Sequence, residues 1–323
     1  MNIQIEMIDE QYINDAVNIA LDDYRDEINR LSILPVVEDD FIFQFRKIIG
    51  ELFTTGSGLV AIYNKQIVGY LSAYLIDELF GQCKGVYCPL IGHGAIKKNR
   101  REIYQKLYKT AADIWVKKGY TSHAITLYAG DKKTINTWFW LGFGLRCVDA
   151  IREVALITGI NSNIVVKKAE IADILVLSKV HRKHNLYYRK SPMFMPAQEE
   201  NPIKDLQNWM AKENHHLWIA LDGEELIGYM RIEPQGESFV SKHQDVMNIT
   251  GAFVDEDYRG SSVGTKLLTA IQEWLMKNDY KLCGVDFESF NCIGSSFWNK
   301  YFKPYTYTVV RRIDERIIPL LPR

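Results

Sequence analysis

The chain has 323 residues, of which 47% are apolar and 24% are charged, and its formal net charge is −1. This length predicts two domains, and the apolar fraction excludes wholesale disorder. The near-zero charge argues against a protein whose main task is binding nucleic acid, and no apolar run approaches the ~18 residues that span a bilayer. The first residues lack the basic region of a signal peptide, so we expect a cytoplasmic protein with no nucleic-acid or membrane partner.

Elements of the first half recur in the second half at a nearly constant spacing. The strand Asn2–Ile8 resembles Asn163–Ala169, and the hairpin Leu59–Leu71 resembles Trp218–Met230, which lies 159 residues later. The turns of the two hairpins are expected at Asn64-Lys65 and Asp222-Gly223. An aromatic pair also recurs late in each half, at Phe139-Trp140 and Phe297-Trp298. Such a repeat predicts a duplicated domain, with copies at 1–159 and 160–323 joined by the short polar segment 158–162.

The second copy shows the element order most clearly. Alternating apolar residues indicate strands, and apolar residues at a spacing of three and four indicate helices. Strands are predicted at 164–168, 217–232 (a hairpin), 246–254, 281–287 and 305–313, and helices at 171–183, 203–212, 263–277 and 293–300. This order predicts an α/β fold in which a mixed, mostly antiparallel sheet is flanked by helices.

Metal-binding patterns are weak. The five cysteines form no CxxC pair, and an odd number of them fits reduced thiols. His181 and His184 could share a helix face, but no HExxH pattern or neighbouring carboxylate supports a metal site. We therefore expect no metal.

The segment after the strand 246–254 carries the strongest chemical signal. A loop of small residues leads from Val254 into a helix near Val263, and Arg259 and Gly260 lie within it. Backbone N–H groups at a helix N-terminus are unpaired and attract anions, and glycine permits close approach of a phosphate. The loop therefore predicts a phosphate site, to which the hydroxyls of Ser261, Ser262 and Thr265 add donors.

This segment resembles the acyl-CoA-binding motif of the GNAT N-acetyltransferase superfamily, Arg/Gln-x-x-Gly-x-Gly/Ala, at Arg259–Gly264. The resemblance implies that the backbone of three strand residues hydrogen-bonds pantetheine: Ala252, Phe253 and Val254. It implies that the loop and helix start hold the pyrophosphate: Arg259, Gly260, Ser261, Ser262, Val263, Gly264 and Thr265. It also implies that Asn291 contacts pantetheine, ahead of a helix that carries the aromatic pair Phe297 and Trp298.

The chain also departs from the pattern of that superfamily. Ser262 replaces a glycine, and Trp298 stands where many members have a tyrosine that acts as the general acid. Asn248 and Thr250 occupy a strand that carries a carboxylate in some members. The first copy has no Arg-Gly in its counterpart segment, 86–98. The resemblance therefore implies a degenerate first domain and an acetyl-CoA-binding second domain.

The implied reaction is transfer of the acetyl group of acetyl-CoA to a primary amine of a small molecule or peptide. Glu288 is the candidate base, and Tyr305 is the candidate acid alongside Tyr301 and Ser296. The aromatic residues in 185–189 and 191–196 fall where the superfamily has an acceptor-covering loop. A non-catalytic acyl-CoA sensor is the main alternative, and a transferase that uses charged transfer RNA is a third. The chain is expected to be a monomer or homodimer.

Overall fold

The computed structural model describes residues 2–160, 163–197 and 201–321. The chain forms two compact units, one of residues 1–148 with 304–323 and the other of residues 149–303. The segment 304–313, which the sequence placed in the second copy, thus belongs to the first unit. Among the helices of the described ranges, none combines the length and apolar content needed to cross a membrane.

Seven strands and four helices occupy the chain up to residue 153. They are β1 Gln4–Met7, α1 Ile13–Arg30, α2 Asp39–Thr55, β2 Ser57–Tyr63, β3 Gln66–Ile76, β4 Gly85–Cys88, β5 His93–Ala95, α3 Arg100–Lys117, β6 Ser122–Tyr128, α4 Lys132–Trp140 and β7 Gly144–Glu153. The remaining elements are β8 Val165–Lys168, α5 Ile174–Arg189, α6 Pro202–Met210, β9 His216–Asp222, β10 Glu225–Glu233, β11 Val246–Val254, α7 Val263–Lys277, β12 Leu282–Glu288, α8 Cys292–Tyr301 and β13 Lys303–Arg312.

The sheet of the first unit is mixed. Strands β1, β2 and β3 run antiparallel, and β3 pairs in turn with β4 and β5. Strand β4 is parallel to β6, and β13 lies antiparallel to β6 from Thr306 to Arg312. Helix α3 buries Tyr104, Tyr108 and Trp115 in the core beside this sheet.

The second unit repeats this layout. Strands β8, β9, β10 and β11 run antiparallel, and β12 is parallel to β11. Helix α7 buries Leu267, Leu268 and Ile271, while α5 and α6 pack Leu177 and Trp209 into a second core cluster. The predicted mixed sheet with flanking helices is confirmed.

Two local predictions were wrong. The second hairpin turns at Gly223-Glu224 rather than Asp222-Gly223, because Asp222 pairs with Glu225 in the strand register. Helix α5 continues to Arg189, so the aromatic residues of 185–189 lie on a helix and not on a loop. The apolar spacing weakens after residue 183, where tyrosines replace aliphatic residues, and sequence periodicity therefore missed the last turns.

Candidate functional site

A gap opens between two neighbouring strands of the second unit. β11 and β12 pair only from Val246 to Ile249 and from Leu282 to Val285. Beyond that point β11 bulges at its pairing with β10 and continues beside β10 alone to Val254. The edge of residues 250–254 that faces β12 therefore has no strand partner, and a cavity of about 670 Å³ lies there. Unpaired backbone groups in a cavity are available to a ligand.

The N-terminus of α7 forms one end of this cavity. Gly260 and Ser262 take left-handed backbone conformations, with φ of +83° and +67°, and they turn the chain sharply into the helix. No side chain caps α7 and its first turn contains no acid, so its free N–H groups can bind an anion. A Cβ on Gly264 would lie 3.2 Å from the Phe297 ring, which explains the glycine at that position. The loop thus fits a phosphate group.

Arg259 adds positive charge beside the loop. Its Nε donates a hydrogen bond to the Val254 carbonyl at 3.2 Å, and its guanidinium lies 4.4 Å from the centre of the Tyr187 ring. Stacking on an aromatic ring and hydrogen bonding to the strand end hold the guanidinium at the cavity wall. A cation is therefore fixed next to the open helix N-terminus.

The cavity gathers most of the residues that the sequence singled out. Those on its wall are Ala252, Phe253, Val254, Arg259, Gly260, Ser262, Val263, Gly264, Thr265, Glu288, Asn291, Phe297 and Trp298. Ser261 is not among the lining residues, and its hydroxyl donates to the Tyr258 carbonyl at 2.5 Å. Placement on the wall makes the others candidate ligand contacts.

The three candidate acids do not line the cavity. Tyr305 is buried in β13, in the chain segment that belongs to the first unit, and its carbonyl accepts a hydrogen bond from Ala129. The Tyr301 hydroxyl shares a 3.0 Å hydrogen bond with the Thr265 hydroxyl, and Ser296 donates to the Cys292 carbonyl within α8. The sequence alone could not show that the strand carrying Tyr305 leaves the second copy.

Asn291 is held in one orientation. Its side-chain oxygen caps α8 by accepting from the Gly294 N–H at 3.1 Å, and it also accepts from the Tyr187 hydroxyl at 3.0 Å. Both bonds use the oxygen, so the amide nitrogen remains as a donor. Tyr187 is a contact that the sequence prediction missed, because it assigned this residue to a loop.

Asp286 is the other residue that sequence reasoning missed. It lies on the cavity wall, two residues before Glu288 in β12, and a spacing of two places both side chains on one face of the strand. The Asp286 side chain is exposed on the open cavity wall. Desolvation by the surrounding protein, then the charges of Asp149, Glu237 and Glu288, raise the pKa of Asp286 to about 7. A carboxyl that titrates near neutrality can accept a proton at physiological pH. The alternation was the signal that could have identified it.

His184 and Tyr229 also line the cavity. The Tyr229 hydroxyl and Nδ1 of His184 share a 2.7 Å hydrogen bond, and the His181 ring stacks on Tyr229. Burial, then the charges of His181, Arg231 and Arg259, lower the pKa of His184 to about 3, so this imidazole is neutral at pH 7. Across residues 2–160, 163–197 and 201–321, no group of three or more His, Cys, Asp or Glu could hold a metal ion.

Comparisons with known proteins agree with this geometry. Residues 183–292 match the sequence profile of the Acetyltransferase (GNAT) family. A GCN5-related N-acetyltransferase from Sphaerobacter thermophilus aligns with a TM-score of 0.60 and 10% identity, over 96% of this chain and 95% of that one. A GCN5-related glucosamine N-acetyltransferase region in a fungal multi-domain GH3 beta-N-acetylglucosaminidase aligns with a TM-score of 0.54 and 11% identity, over 96% of this chain and 38% of that one. No curated protein matches the sequence. At 10% and 11% identity, these structural alignments show a shared fold and no more. The profile match supports acyl transfer in general.

Proposed function

We propose that the second unit is an acetyl-CoA-dependent N-acetyltransferase that acts on a primary amine. The observation that carries this proposal is the gap between β11 and β12 beside the open N-terminus of α7. The unpaired edge of β11 suits a ligand with amide groups, and the helix terminus suits a diphosphate. An acyl-CoA contains both, in that order along its length.

Different residues of the cavity wall would bind different parts of acetyl-CoA. The backbone of Ala252–Val254 would hydrogen-bond pantetheine, and the loop from Arg259 to Thr265 would hold the pyrophosphate. Asn291 would offer its amide nitrogen to the pantetheine arm. When bound, acetyl-CoA supplies the activated acyl group.

Asp286 is placed to act as the base. A protonated amine must lose a proton before it attacks, and Asp286, with Glu288 beside it, would take that proton. The new N–C bond forms as the C–S bond of the thioester breaks, and the electron pair leaves on the thiolate. A thiol has a pKa of ~8.5, so the thiolate can depart without a dedicated acid.

We further propose that the first unit is a diverged copy whose groove is filled by its own side chains. His93 has the strand register of Ala252, because β5 pairs with β3 as β11 pairs with β10. Its Nε2 bonds the Thr126 carbonyl of β6 at 2.8 Å, and its Nδ1 bonds the Tyr104 hydroxyl. The imidazole thus occupies the place where the second unit has its gap.

Arg100 fills the other end of that groove. It follows Asn99, whose left-handed conformation matches that of Ser262 at the start of the equivalent helix. The guanidinium pairs with Asp23 and with Asp131, each at 2.5 Å. Because a cation paired with two carboxylates already stands at this helix N-terminus, the first unit lacks a free anion site.

Thermal unfolding tests binding. Acetyl-CoA at a hundredfold excess over its Kd should stabilise the wild type by about 2.7 kcal/mol and raise its Tm. The double substitution Arg259→Ala with Gly260→Ala should abolish that rise, since it removes the cation and strains a left-handed turn. The matched control is Arg182→Ala with Gly223→Ala, an exposed arginine and a left-handed glycine outside the cavity. A wild type that gains no stability at millimolar acetyl-CoA contradicts the proposal.

Turnover separates an enzyme from a sensor. Thiol release from acetyl-CoA, measured across a panel of amines, should accelerate with at least one acceptor. Binding of acetyl-CoA without thiol release on any amine would support the non-catalytic alternative instead.

A further inference from the structure

The charge of Arg231 has no counter-ion in the part of the chain that the structure describes. Arg231 lies on β10 opposite Gly251 and lines the cavity. Its guanidinium lies 5.0 Å from the centre of the Trp209 ring, and Nη2 reaches the Thr250 carbonyl only at 3.4 Å. Its Nε is buried and has no hydrogen-bond partner. Arg231 is half-buried, and a half-buried cation is stabilised by a paired anion.

Neither Glu233 nor Thr250 neutralises the charge of Arg231. Glu233, two residues along β10, is engaged with His215 at 2.9 Å and with the Trp209 indole at 3.5 Å. The Thr250 hydroxyl is itself buried without a partner, and it lines the same cavity. The Arg231 guanidinium, whose contacts are the Trp209 ring and the Thr250 carbonyl, and the Thr250 hydroxyl both belong to residues of the cavity wall. A guanidinium and a hydroxyl are groups that bind a carboxylate.

Asp286 lies on the same face of the sheet as Arg231, whose guanidinium contacts Trp209 of α6. Glu233, whose side chain reaches Trp209, is the register partner of Asn248, so both project on the α6 face. The Asn248 side chain lies over Gly284, its partner on β12. Asp286 is two residues beyond Gly284 and therefore shares that face. The acceptor side of the cavity thus has an unpaired cation on β10 and a carboxyl on β12.

We propose that the acceptor is an amino acid, an amine that also bears a carboxylate. Arg231, with the Thr250 hydroxyl, binds the carboxylate of the acceptor, and Asp286 takes the proton from its amine. This inference rests on the proposed acetyl transfer. A simple amine would leave Arg231 without a paired anion.

Matched acceptors test the inference. Thiol release is measured with the standard α-amino acids and with the amine formed from each by loss of its carboxylate. At least one amino acid should show a kcat/KM at least ~10-fold above that of its decarboxylated partner, because a charge-assisted pair is lost with the carboxylate. Arg231→Gln should lower kcat/KM for the amino acid more than for its decarboxylated amine, so that the ratio of the two values falls towards one. Arg182→Gln, an exposed arginine outside the cavity, is the control and should change neither.

Three outcomes would overturn it. The first is acetylation of amines as fast as of their parent amino acids, and the second is an equal slowing of both acceptors by Arg231→Gln. Either result leaves acetyl transfer standing and rejects the proposed substrate class. If no amine releases thiol, the proposed function fails, and binding still decides the substrate class. N-acetyl amino acids with CoA should then raise the Tm of the wild type but not of Arg231→Gln, and absence of that difference rejects the inference.

Discussion

At the scale of single residues, Asp286 decides how the proposed reaction depends on pH. With a pKa raised to about 7, its carboxyl is protonated below neutrality and cannot accept a proton. We expect kcat/KM to rise with pH through about 7. Asp286→Asn should lower kcat by ~100-fold or more, with an unchanged Tm shift on binding acetyl-CoA. A variant with wild-type kcat and pH profile would assign the base elsewhere.

The same substitution should also affect stability. Because the pKa of Asp286 is higher in the folded chain than the usual 3.8, the folded state binds more protons between the two values. Folding is therefore penalised as pH rises through that window. Asp286→Asn should raise the Tm at pH 8 and change it little at pH 4, and an opposite order would contradict the assigned environment.

Some residues of the candidate site could be predicted from the sequence and others could not. The loop Arg259–Gly264 could be found because its spacing is local and carries a motif. Arg231 could not be found, because the role of an arginine in an apolar strand cannot be inferred until its spatial neighbours are known. The place of Tyr305 could not be predicted for the same reason: β13 pairs with β6 of the first unit, and no local pattern encodes that pairing.

At the scale of elements, α4 and α8 provide a matched pair of helix caps. Asn291 caps α8 and Asp131 caps α4, each by accepting from the N–H three residues on. Asn291→Ala should lower the free energy of unfolding by about 1 kcal/mol, the usual value of such a cap. Asp131→Ala should cost about 2–4 kcal/mol, because it also removes one of the two partners of the half-buried Arg100.

Denaturant titration measures both variants. Asp131→Asn keeps the cap and removes only the ion-pair charge. Its loss in the free energy of unfolding should therefore lie between the losses of Asn291→Ala and Asp131→Ala. Equal losses for Asn291→Ala and Asp131→Ala would mean that the ion pair between Arg100 and Asp131 contributes nothing to stability.

Most helices and strands could be predicted from the sequence, but their ends only in part. Helix α7 and strand β11 begin and end where the sequence predicts them, because polar or small residues flank both elements. Helix α5 extends beyond the residues that its apolar spacing predicts, and its last turns place the Tyr187 hydroxyl against Asn291. Those turns are stabilised by tertiary contacts, which periodicity does not report.

At the scale of the whole molecule, the filled groove of the first unit predicts stoichiometry. Titration calorimetry should find one acetyl-CoA bound per chain. The variant with Arg259→Ala and Gly260→Ala should bind none, since His93 and Arg100 leave no second groove. A second binding event that survives in this variant would place a site in the first unit.

The strand β13 has a further consequence, which concerns the order of synthesis. β6 lies between β4 and β13, so one edge of β6 stays open until residues 306–312 have left the ribosome. At ~5–20 residues per second, the wait after β6 emerges is roughly 10–40 s. The second unit, whose residues 149–303 are contiguous, can fold during that time. The chain thus completes its later half before its earlier one, and the open edge of β6 is its main exposure to misassembly.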